Sequence, residues 1–443
     1  MIKFLRSKLA CVTLISIFAK LSSLARDVLF ASTYGAGEIC SAFEGASKIP
    51  LALFDIFFGC AIGSAFIPVF CSAAEAGEGE EERFANGFAG LVLALSSTLT
   101  VLGMIFSQSI IVFFAKGVSS AALGSARMLL VLLFPTLFIN SFSFLLIAIM
   151  HAKDRFVLPA CISLVTNVLS IIYLLLGTDE IYGFAMVSVF GGTVQLMMLY
   201  CALKKYGFVC RPSFDFSSEY IKSTLSLTLQ GFLPCSLTPV MALASLSYAD
   251  RYPDGRGIAL YNYAHRIFMM AAGFFTFIFS AFLLPSLSRL QAKRKNSETG
   301  KVFYGYTGAL LIILIPITFA LIVFPEKIVG IIFTRGKFSP EDCRECAAVL
   351  RRLAVGIPFF AFSELSLKAY FARQRCLFPS VCAVAALFVF CGVTVFLPQY
   401  LGLEHLALAT SVTYIVYALM LFAGLKIPIF GTGLSKGGEI SND

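Results

Sequence analysis

The chain has 443 residues, of which 58% are hydrophobic and only 13% are charged, and its formal net charge is +9. A water-soluble domain carries roughly 25% charged residues, so this composition excludes an ordinary soluble enzyme or binding module. The apolar residues recur in runs of about twenty, the length that crosses about 30 Å of hydrocarbon as a helix. Because the bilayer core offers the backbone no other hydrogen-bond partner, each run must be helical. The composition therefore predicts an all-α polytopic membrane protein.

The first apolar run resembles a secretory signal peptide. A basic start is followed by an apolar stretch and by small residues just before Arg26. The apolar pattern nevertheless continues beyond that point through Val28, Leu29 and Phe30, and the chain that follows is itself rich in apolar runs. We therefore expect this segment to be retained as the first transmembrane helix.

The apolar runs and the polar turns between them predict about twelve transmembrane spans. These spans cover residues 8–33, 39–71, 86–114, 126–151, 156–176, 182–203, 219–247, 257–288, 302–325, 344–371, 377–397 and 404–426. Short connections make neighbouring helices antiparallel. We expect two lobes of six helices each, with a linker between them and a cytoplasmic tail after them. The predicted units are an N-lobe at 1–205, a linker at 206–218, a C-lobe at 219–427 and a tail at 428–443.

Lysine and arginine residues concentrate in the loops on one side of the predicted membrane. Those basic loops are 152–156, 204–211, 289–301 and 373–375, whereas the loops 34–38, 177–181 and 398–403 contain neither residue type. Short basic loops are typical of the cytoplasmic side. An acidic loop at 73–83 and a basic segment at 326–344 run against this pattern. Acidic residues contribute little to the rule, so we expect both termini to be cytoplasmic.

Two short motifs occur once in each half of the chain. His-Ala-Lys-Asp-Arg-Phe at 151–156 corresponds to Phe-Ala-Arg-Gln-Arg-Cys at 371–376, which stands 220 positions later. Ser-Ala-Phe at 64–66 reappears at 280–282, which is 216 positions later. The nearly constant separation favours an internal duplication over chance similarity among apolar helices. Six helices per half make the halves parallel, an architecture of transporters that rock one half against the other.

Charged residues inside the apolar spans are the candidate functional residues, because each costs about 2.5–3.5 kcal/mol at the centre of a membrane helix. They are Lys20, Arg26, Asp27, Glu44, Lys48 and Asp55 in the first two spans, and His265, Arg266, Glu364 and Lys368 in the eighth and tenth. We expect Glu364 and Lys368 to form a local salt bridge, since they are four residues apart. We expect the others to line a water-filled cavity between the halves. There the planar guanidinium groups of Arg26 and Arg266 would bind a phosphate-bearing head group.

Residue sets typical of catalysis or metal binding are absent from the sequence. The chain has three histidines and contains no nucleophile triad, phosphate-binding loop or HExxH motif. Cys343 and Cys346 have C-x-x-C spacing, but no second pair completes a zinc site. The sequence therefore favours a transporter over an enzyme. We expect no cofactor, although a coupling ion or the membrane potential could drive transport.

Several motifs resemble the MurJ (MviN) family of lipid II flippases, in the order in which that family has them. They are Leu24-Ala25-Arg26-Asp27-Val28-Leu29, Tyr34-Gly35-Ala36-Gly37, Lys48-Ile49-Pro50, Ser64-Ala65-Phe66-Ile67-Pro68, Tyr263-Ala264-His265-Arg266 and Phe333-Thr334-Arg335-Gly336-Lys337-Phe338-Ser339. The resemblance covers nearly the whole chain. It implies the fold of the MOP exporter superfamily, which includes the MATE transporters, with two parallel six-helix lobes. The cavity between such lobes opens alternately to either side of the membrane.

By this resemblance, the protein moves lipid II from the cytoplasmic to the periplasmic leaflet of the bacterial inner membrane. Arg26 and Arg266 match cavity arginines that engage the pyrophosphate, and Lys20 stands where the family usually has arginine. The expected substrate-binding residues are Arg26, Arg266, Lys20, Lys48, Asp27 and Glu44. The implied partners are lipid II (an undecaprenyl-pyrophosphate-linked molecule), membrane lipids and cell-wall synthesis proteins, and nucleic acid is not among them.

The sequence departs from the family pattern at three polar positions. Ser41 replaces the usual acidic residue, an arginine is missing near Phe54, and a glutamate is missing near Gly59, while Glu44 and Asp55 are acidic additions. The cavity should therefore be less cationic than in relatives. Two alternatives to lipid II transport remain open. One is a flippase for another polyprenyl-linked glycan or a MATE-like antiporter, and the other is a non-transporting membrane scaffold.

Overall fold

The computed structural model describes the chain except for residues 1, 78, 115–119, 154, 293–295, 374, 376, 397–401 and 430–443. Within these limits, all regular structure is helical. The helices of the first half are α1 (Ile2–Tyr34), α2 (Glu38–Phe54), α3 (Ile67–Ala76), α4 (Glu80–Ile105), α5 (Ser107–Phe114), α6 (Ser120–Leu133), α7 (Pro135–Ala152), α8 (Val157–Ile162), α9 (Leu164–Leu175) and α10 (Ile181–Lys205). Those of the second half are α11 (Glu219–Ala249), α12 (Gly257–Ala292), α13 (Asn296–Val323), α14 (Pro325–Phe333), α15 (Pro340–Ala354), α16 (Ile357–Ala372), α17 (Leu377–Phe396) and α18 (Glu404–Ile429). Most of the predicted tail at 428–443 lies outside the described residues.

The helices match the predicted spans. In the described residues, eight helices are long and apolar enough to cross a membrane, and the number is nine if α15 and α16, bent by 46°, count as one span. The three other predicted spans coincide with α1, with the path from α2 to α3, and with α12. These three helical segments carry Arg26, Glu44 and Arg266, respectively. The predicted all-α polytopic fold is confirmed.

The internal duplication is visible in where the helices break. Both α4 and α13 end before a short helix, α5 or α14, at equivalent places in the two halves. The repeated motifs both form the turn that follows a span. In the first turn the N–H of Arg155 donates to the carbonyl of Met150 at 2.8 Å, and in the second Arg375 donates to Tyr370 at 3.1 Å. The two halves therefore fold alike, in parallel orientation.

The second span is not a regular α-helix. Two π-helical segments, Asp55–Gly59 and Ala61–Phe66, lie between α2 and α3. A π-helical turn widens the helix locally and is frequent at functional sites. Both segments pack against α11 of the second half, and α2 itself packs against α11 and α12. The second span therefore forms much of the seam between the halves.

The connections between spans lie on two faces of the helical bundle. We call the face with the turns after α1, α9, α11, α14 and α17 the distal face, and the opposite one the proximal face.

Buried aromatic rings pack between the helices of the first half, near both the distal and the proximal face. Phe30 lies 5.2 Å from Phe43 and 5.0 Å from Phe184, and Phe66 lies 5.0 Å from Phe88 between ring centroids. These offset and tilted rings fix the helices that carry the polar residues described below.

Residues 206–218, which join the halves, lie in a groove on α4. The N–H of Ser213 donates to the carbonyl of Asn86 at 2.9 Å, and the N–H of Arg211 donates to the side-chain oxygen of Asn86 at 2.7 Å. Glycine makes this approach possible, because a Cβ at Gly90 would lie only 1.9 Å from the carbonyl oxygen of Ser213. Gly87 is also close to the linker, since a hypothetical Cβ there would lie 2.7 Å from the carbonyl oxygen of Asp215. The linker is thus bound to the first half.

An ion pair reinforces this docking. The guanidinium of Arg83 lies 3.0 Å from Oδ2 of Asp215, and the hydroxyl of Ser217 donates to Oδ1 of the same carboxylate at 2.5 Å. The Ser217 hydroxyl and the Arg83 guanidinium lower the pKa of Asp215 to about 2. The carboxylate is therefore ionised at every physiological pH, although an exposed pair of this kind adds little stability. Close backbone packing against the glycines is the main contact.

We expect Gly90→Ala to displace the linker, because the added methyl group has no space. Overpacking of this kind lowers the free energy of unfolding by about 1–3 kcal/mol. The purified variant should show a lower melting temperature and faster chymotryptic cleavage after Phe214, a linker residue. Gly124→Ala is the matched control, since a Cβ at Gly124 meets nothing within 4 Å. Equal melting temperatures and cleavage rates for the two variants would contradict the docking.

Candidate functional site

Arg266 joins the two halves through two carboxylates. It lies on α12, and its Nη2 is 2.5 Å from Oε1 of Glu44 on α2, while its Nη1 is 3.1 Å from Oδ1 of Asp27 on α1. The side chains of Glu44 and Asp27 are only 4% and 12% exposed, and that of Arg266 is 29% exposed. Charges so shielded from water interact much more strongly than charges on a surface. This cluster is therefore a strong electrostatic link between the halves.

Arg26 shares one of these carboxylates. Its Nε and Nη2 lie 3.1 and 2.8 Å from Oδ1 of Asp27, the same oxygen that Arg266 approaches. Its Nη1 donates to the side-chain oxygen of Asn167 on α9 at 3.0 Å. The Asn167 amide in turn donates to the hydroxyl of Ser22 at 3.3 Å, which fixes its orientation. Arg26 is thereby held at one geometry while a quarter of its side chain stays accessible.

A second link between the halves lies one helical turn away. Nζ of Lys48 on α2 donates to the side-chain oxygen of Asn262 on α12 at 3.0 Å. Lys48 follows Glu44 by four residues, and Asn262 precedes Arg266 by four. Residues four apart lie on one face of a helix. The two links therefore connect a single face of α2 to a single face of α12.

The cluster lies inside the membrane, nearer to the distal face. Asp27 stands seven residues before the end of α1, and Arg266 stands nine residues after the start of α12. At 1.5 Å per residue, these Cα atoms lie about 10 and 14 Å from the distal helix ends. The hydrocarbon core extends about 15 Å on either side of its centre. The cluster therefore lies well inside the helical bundle, on the distal side of its middle.

A backbone clasp closes the distal face above this cluster. The N–H of Lys337 donates to the carbonyl of Ser32 at 2.8 Å, and the hydroxyl of Tyr263 donates to the carbonyl of Gly35 at 2.9 Å. Gly336 has a positive φ of 59°, and a Cβ there would lie 2.3 Å from the Ser32 carbonyl oxygen. We call residues 32–35 with 336–337 and Tyr263 the distal clasp. It joins the two halves at the distal face.

The predicted site residues divide into two groups. Arg26, Asp27, Glu44 and Arg266 form one ionic cluster, and Lys48 lies one turn from it. Lys20 is exposed and makes no ion pair within the described part of the chain, so its role in binding stays a prediction. Of the spans expected to line the cavity, the first, second and eighth contribute to the cluster. The fifth contributes Asn167, and the tenth does not take part.

The predicted salt bridge between Glu364 and Lys368 is wrong. Both residues are described, and their charged groups do not come within 4.0 Å of each other. The ammonium group of Lys368 instead lies 5.9 Å from the ring of Phe371, where a cation–π interaction replaces the ion pair. On one helix, an exposed pair of charges four residues apart contributes only a few tenths of a kcal/mol, so a ring can compete with it.

Sequence reasoning missed two amides at the site. Asn167 is the only amide in α9, and its position inside an apolar helix could have identified it. Asn262 could have been found from its spacing of four residues before Arg266. At two of the three departures from the family pattern, Ser41 accepts a hydrogen bond from the N–H of Ala259 at 3.2 Å, and the ring of Phe54 packs 5.6 Å from that of Phe144. Both positions have become packing contacts.

Two parallel six-helix lobes around an intramembrane ionic site form a fold similar to that of solved MOP superfamily transporters. The fold is similar to an inward-facing multidrug resistance MATE family transporter of that superfamily, with a TM-score of 0.75 and 15% identity over 94% of this chain and 98% of that one. It is also similar to a lipid II flippase MurJ in an inward closed conformation, with a TM-score of 0.79 and 21% identity over 94% and 87% of the two chains.

The chain belongs to the lipid II flippase MurJ family, whose sequence model matches residues 30–431. It is 25% identical over 423 residues to a Bdellovibrio bacteriovorus protein named "Probable lipid II flippase MurJ", covering 92% of this chain and 79% of that protein. A protein of the same name from Thermotoga maritima is 25% identical over 95% of this chain and 85% of its own length. The family resemblance of the motifs is confirmed, and the chain is a multi-pass membrane transporter rather than an enzyme.

We expect Arg266→Leu to lower the free energy of unfolding by about 3–5 kcal/mol, because it leaves the buried Glu44 carboxylate without a counter-charge. The double variant Arg266→Leu with Glu44→Leu should recover most of that loss, since Asp27 keeps Arg26 as its partner. Thermal unfolding of the purified proteins measures both effects.

Arg352→Gln is the control for loss of a cation, because its ion pair with Glu404 is partly exposed and worth little. A single Arg266 variant as stable as this control would show that the cluster does not link the halves.

We expect Gly336→Val to open the distal clasp, since a side chain there is strained at positive φ and meets the Ser32 carbonyl. The reactivity of the buried Cys40 thiol measures this opening. This residue is 1% exposed, and its sulfur lies 3.3 Å from the hydroxyl of Tyr263. A membrane-impermeant thiol reagent added from the distal side should label Cys40 in the variant and leave it unlabelled in the parent, as measured by mass spectrometry.

Gly37→Ala is the matched control, because Gly37 has an ordinary negative φ and open space around its Cα. Protection of Cys40 in both variants would mean that the clasp does not close this face.

Proposed function

We propose that this protein moves lipid II from the cytoplasmic to the periplasmic leaflet by alternating access between its two lobes. The observation that carries the proposal is the placement of Arg26 and Arg266 in one intramembrane cluster shared by both lobes, in a chain of the lipid II flippase family. An arginine inside a membrane protein usually marks a substrate or ion pathway. The polyprenyl tail would stay in the lipid while the head group crosses between the lobes.

In this proposal the pyrophosphate of lipid II binds the guanidinium groups of Arg26 and Arg266. A guanidinium donates two parallel hydrogen bonds to phosphate oxygens, and these are strong because both partners are charged. In the empty protein those donors face Asp27 and Glu44. The substrate therefore competes with two carboxylates, and by taking Arg266 it weakens the link between α12 and α2. Binding would in this way favour separation of the lobes.

We place the proximal face in the cytoplasm, with both termini on that side and the distal face in the periplasm. The loops at 152–156, 204–211 and 373–375 support this orientation, because they are short and basic. The state with a closed distal clasp then accepts substrate from the cytoplasm. The membrane potential acts on charged steps with about 2.3 kcal/mol per charge per 100 mV, and it or a coupling ion would drive the cycle. Enzymes of cell-wall synthesis would supply and consume the substrate.

A second candidate substrate is another glycan on a polyprenyl diphosphate. The contacts of Arg26 and Arg266 suit a diphosphate and carry no information on the sugar. The apolar packing of Phe54 against Phe144, in place of a cationic group, favours a head group that differs from that of relatives on this side of the cavity. A MATE-like antiporter is less well supported, because the cluster presents arginines as well as carboxylates.

The test is complementation of cells depleted of their own lipid II flippase. A periplasmic toxin that cleaves lipid II then measures the lipid II exposed on the outer leaflet. We expect the parent to restore growth and exposure, and Arg26→Ala and Arg266→Ala to reduce exposure about tenfold to hundredfold, because each loses hydrogen bonds to a charged group.

Arg352→Gln is the control and should keep full exposure, since Arg352 lies outside the cluster and pairs with Glu404. Immunoblots of membrane fractions establish equal insertion. If the inserted parent gives no lipid II exposure, the substrate is not lipid II. The same cells supplied with other polyprenyl diphosphate glycans would then identify it.

A further inference from the structure

Asn262 contains a buried donor that the protein leaves unused. The residue is 2% exposed, and its side-chain nitrogen, Nδ2, has no hydrogen-bond partner among the described residues. The orientation of the amide is fixed, because Lys48 is only a donor and must face the amide oxygen. Folded proteins rarely bury an N–H without a partner. The unused donor therefore points to an acceptor that another molecule supplies.

Arg266 has a similar unused donor. Its Nη1 lies 3.1 Å from Oδ1 of Asp27, but this contact lacks hydrogen-bond geometry, and the nitrogen is buried without any other partner in the described structure. Asn262 and Arg266 are four residues apart on α12, so their Cα atoms are about 6 Å apart along one face. That face meets α2 of the other lobe through Lys48 and Glu44. Two unused donors thus lie one turn apart at the interface of the lobes.

We propose that Asn262 is a substrate-binding residue that, together with Arg266, recognises the two phosphate groups of a polyprenyl diphosphate. This inference rests on the proposed function and adds a determinant of specificity to it. Nη1 of Arg266 binds an oxygen of one phosphate, and Nδ2 of Asn262 binds an oxygen of the other. A neutral amide suits the second position, because it donates to an anionic oxygen without a further charge that the empty protein would have to neutralise.

Asn262 and the ionic cluster have different roles in recognising the substrate. The cluster supplies attraction for any phosphate, whereas Asn262 distinguishes a diphosphate from a monophosphate. Lys48 holds the amide in position and brings a positive charge next to it. Because both donors are enclosed by α2 in this state, they become available when the lobes separate at the distal clasp. Recognition of the second phosphate is then coupled to that movement.

The experiment measures binding of three probes to the full-length protein in nanodiscs: lipid II, undecaprenyl diphosphate and undecaprenyl monophosphate. Asn262→Asp keeps the shape of the side chain and an acceptor for Lys48 but removes the donor. Asn262→Ser keeps an acceptor and a shorter donor, and serves if the aspartate variant is poorly folded. Thr394→Val is the control, because the hydroxyl of Thr394 is buried and bonds only within its own helix, to Phe390 at 2.6 Å.

We expect Asn262→Asp to weaken binding of lipid II and of undecaprenyl diphosphate at least about tenfold to hundredfold, because it removes a hydrogen bond to a charged oxygen and adds a negative charge beside that oxygen. Binding of the monophosphate should fall much less, so the diphosphate preference of the parent shrinks. Asn262→Ser should show the same loss of preference in weaker form, and Thr394→Val should leave all three affinities unchanged.

An equal loss for diphosphate and monophosphate would overturn the proposal, because it would reflect only the link between the lobes. A loss confined to lipid II would also overturn it, by placing the acceptor on the sugar or peptide. If Arg266→Ala abolishes lipid II binding while Asn262→Asp changes nothing, the proposed function stands without this inference. A parent that binds none of the three probes would contradict both.

Discussion

The arrangement of this protein depends on one electrostatic constraint, which is that an arginine inside a bilayer needs an opposite charge close by. Arg266 belongs to one lobe, and its counter-charges, Glu44 and Asp27, belong to the other. Neutralisation of Arg266 by the protein's own carboxylates therefore depends on contact between the lobes at this depth. The packing of α2 on α12 and the distal clasp lie at the same interface, and both also hold the two lobes together. This conformation is stabilised by the same charges that we propose bind the substrate.

The acidic partner of Arg266 shows how such a site can change in sequence without losing its charge balance. The family's usual acidic position is occupied by Ser41, and Glu44 stands one turn further along α2. Residues three apart lie on the same face of a helix, so a carboxylate at either position can reach an arginine on the facing helix. Ser41, relieved of that role, accepts the N–H of Ala259 and lets α2 approach α12 closely. On this face of α2, Glu44 forms the ion pair with Arg266 and Ser41 forms the close contact with α12.

The sequence was sufficient for the spans and for most of the ionic cluster, because long apolar runs and intramembrane charges are strong physical signals. It was insufficient for Asn262. An uncharged amide costs little free energy in an apolar helix, so its presence does not by itself indicate a functional site. The docking of the linker could not be inferred either. Gly87 and Gly90 look like ordinary helix-packing glycines until the backbone of Ser213 is found against them. The failed salt bridge between Glu364 and Lys368 has a similar cause, because spacing along a helix does not reveal a competing aromatic ring nearby.

The docked linker also determines how far the second lobe must rotate to separate the two halves at the distal face. Residues up to Ser217 are bound to α4, so we take the start of α11 as the pivot for a rotation of the second lobe against the first. With 31 residues, that helix reaches at most about 46 Å from the pivot to the distal face. A rotation of about 5° about the pivot would therefore displace the distal end by about 4 Å, on the same helix geometry. That displacement exceeds what the 2.8 Å hydrogen bond between Lys337 and Ser32 can tolerate. A small rotation of the second lobe about the start of α11, at the proximal face, is therefore enough to break the distal clasp.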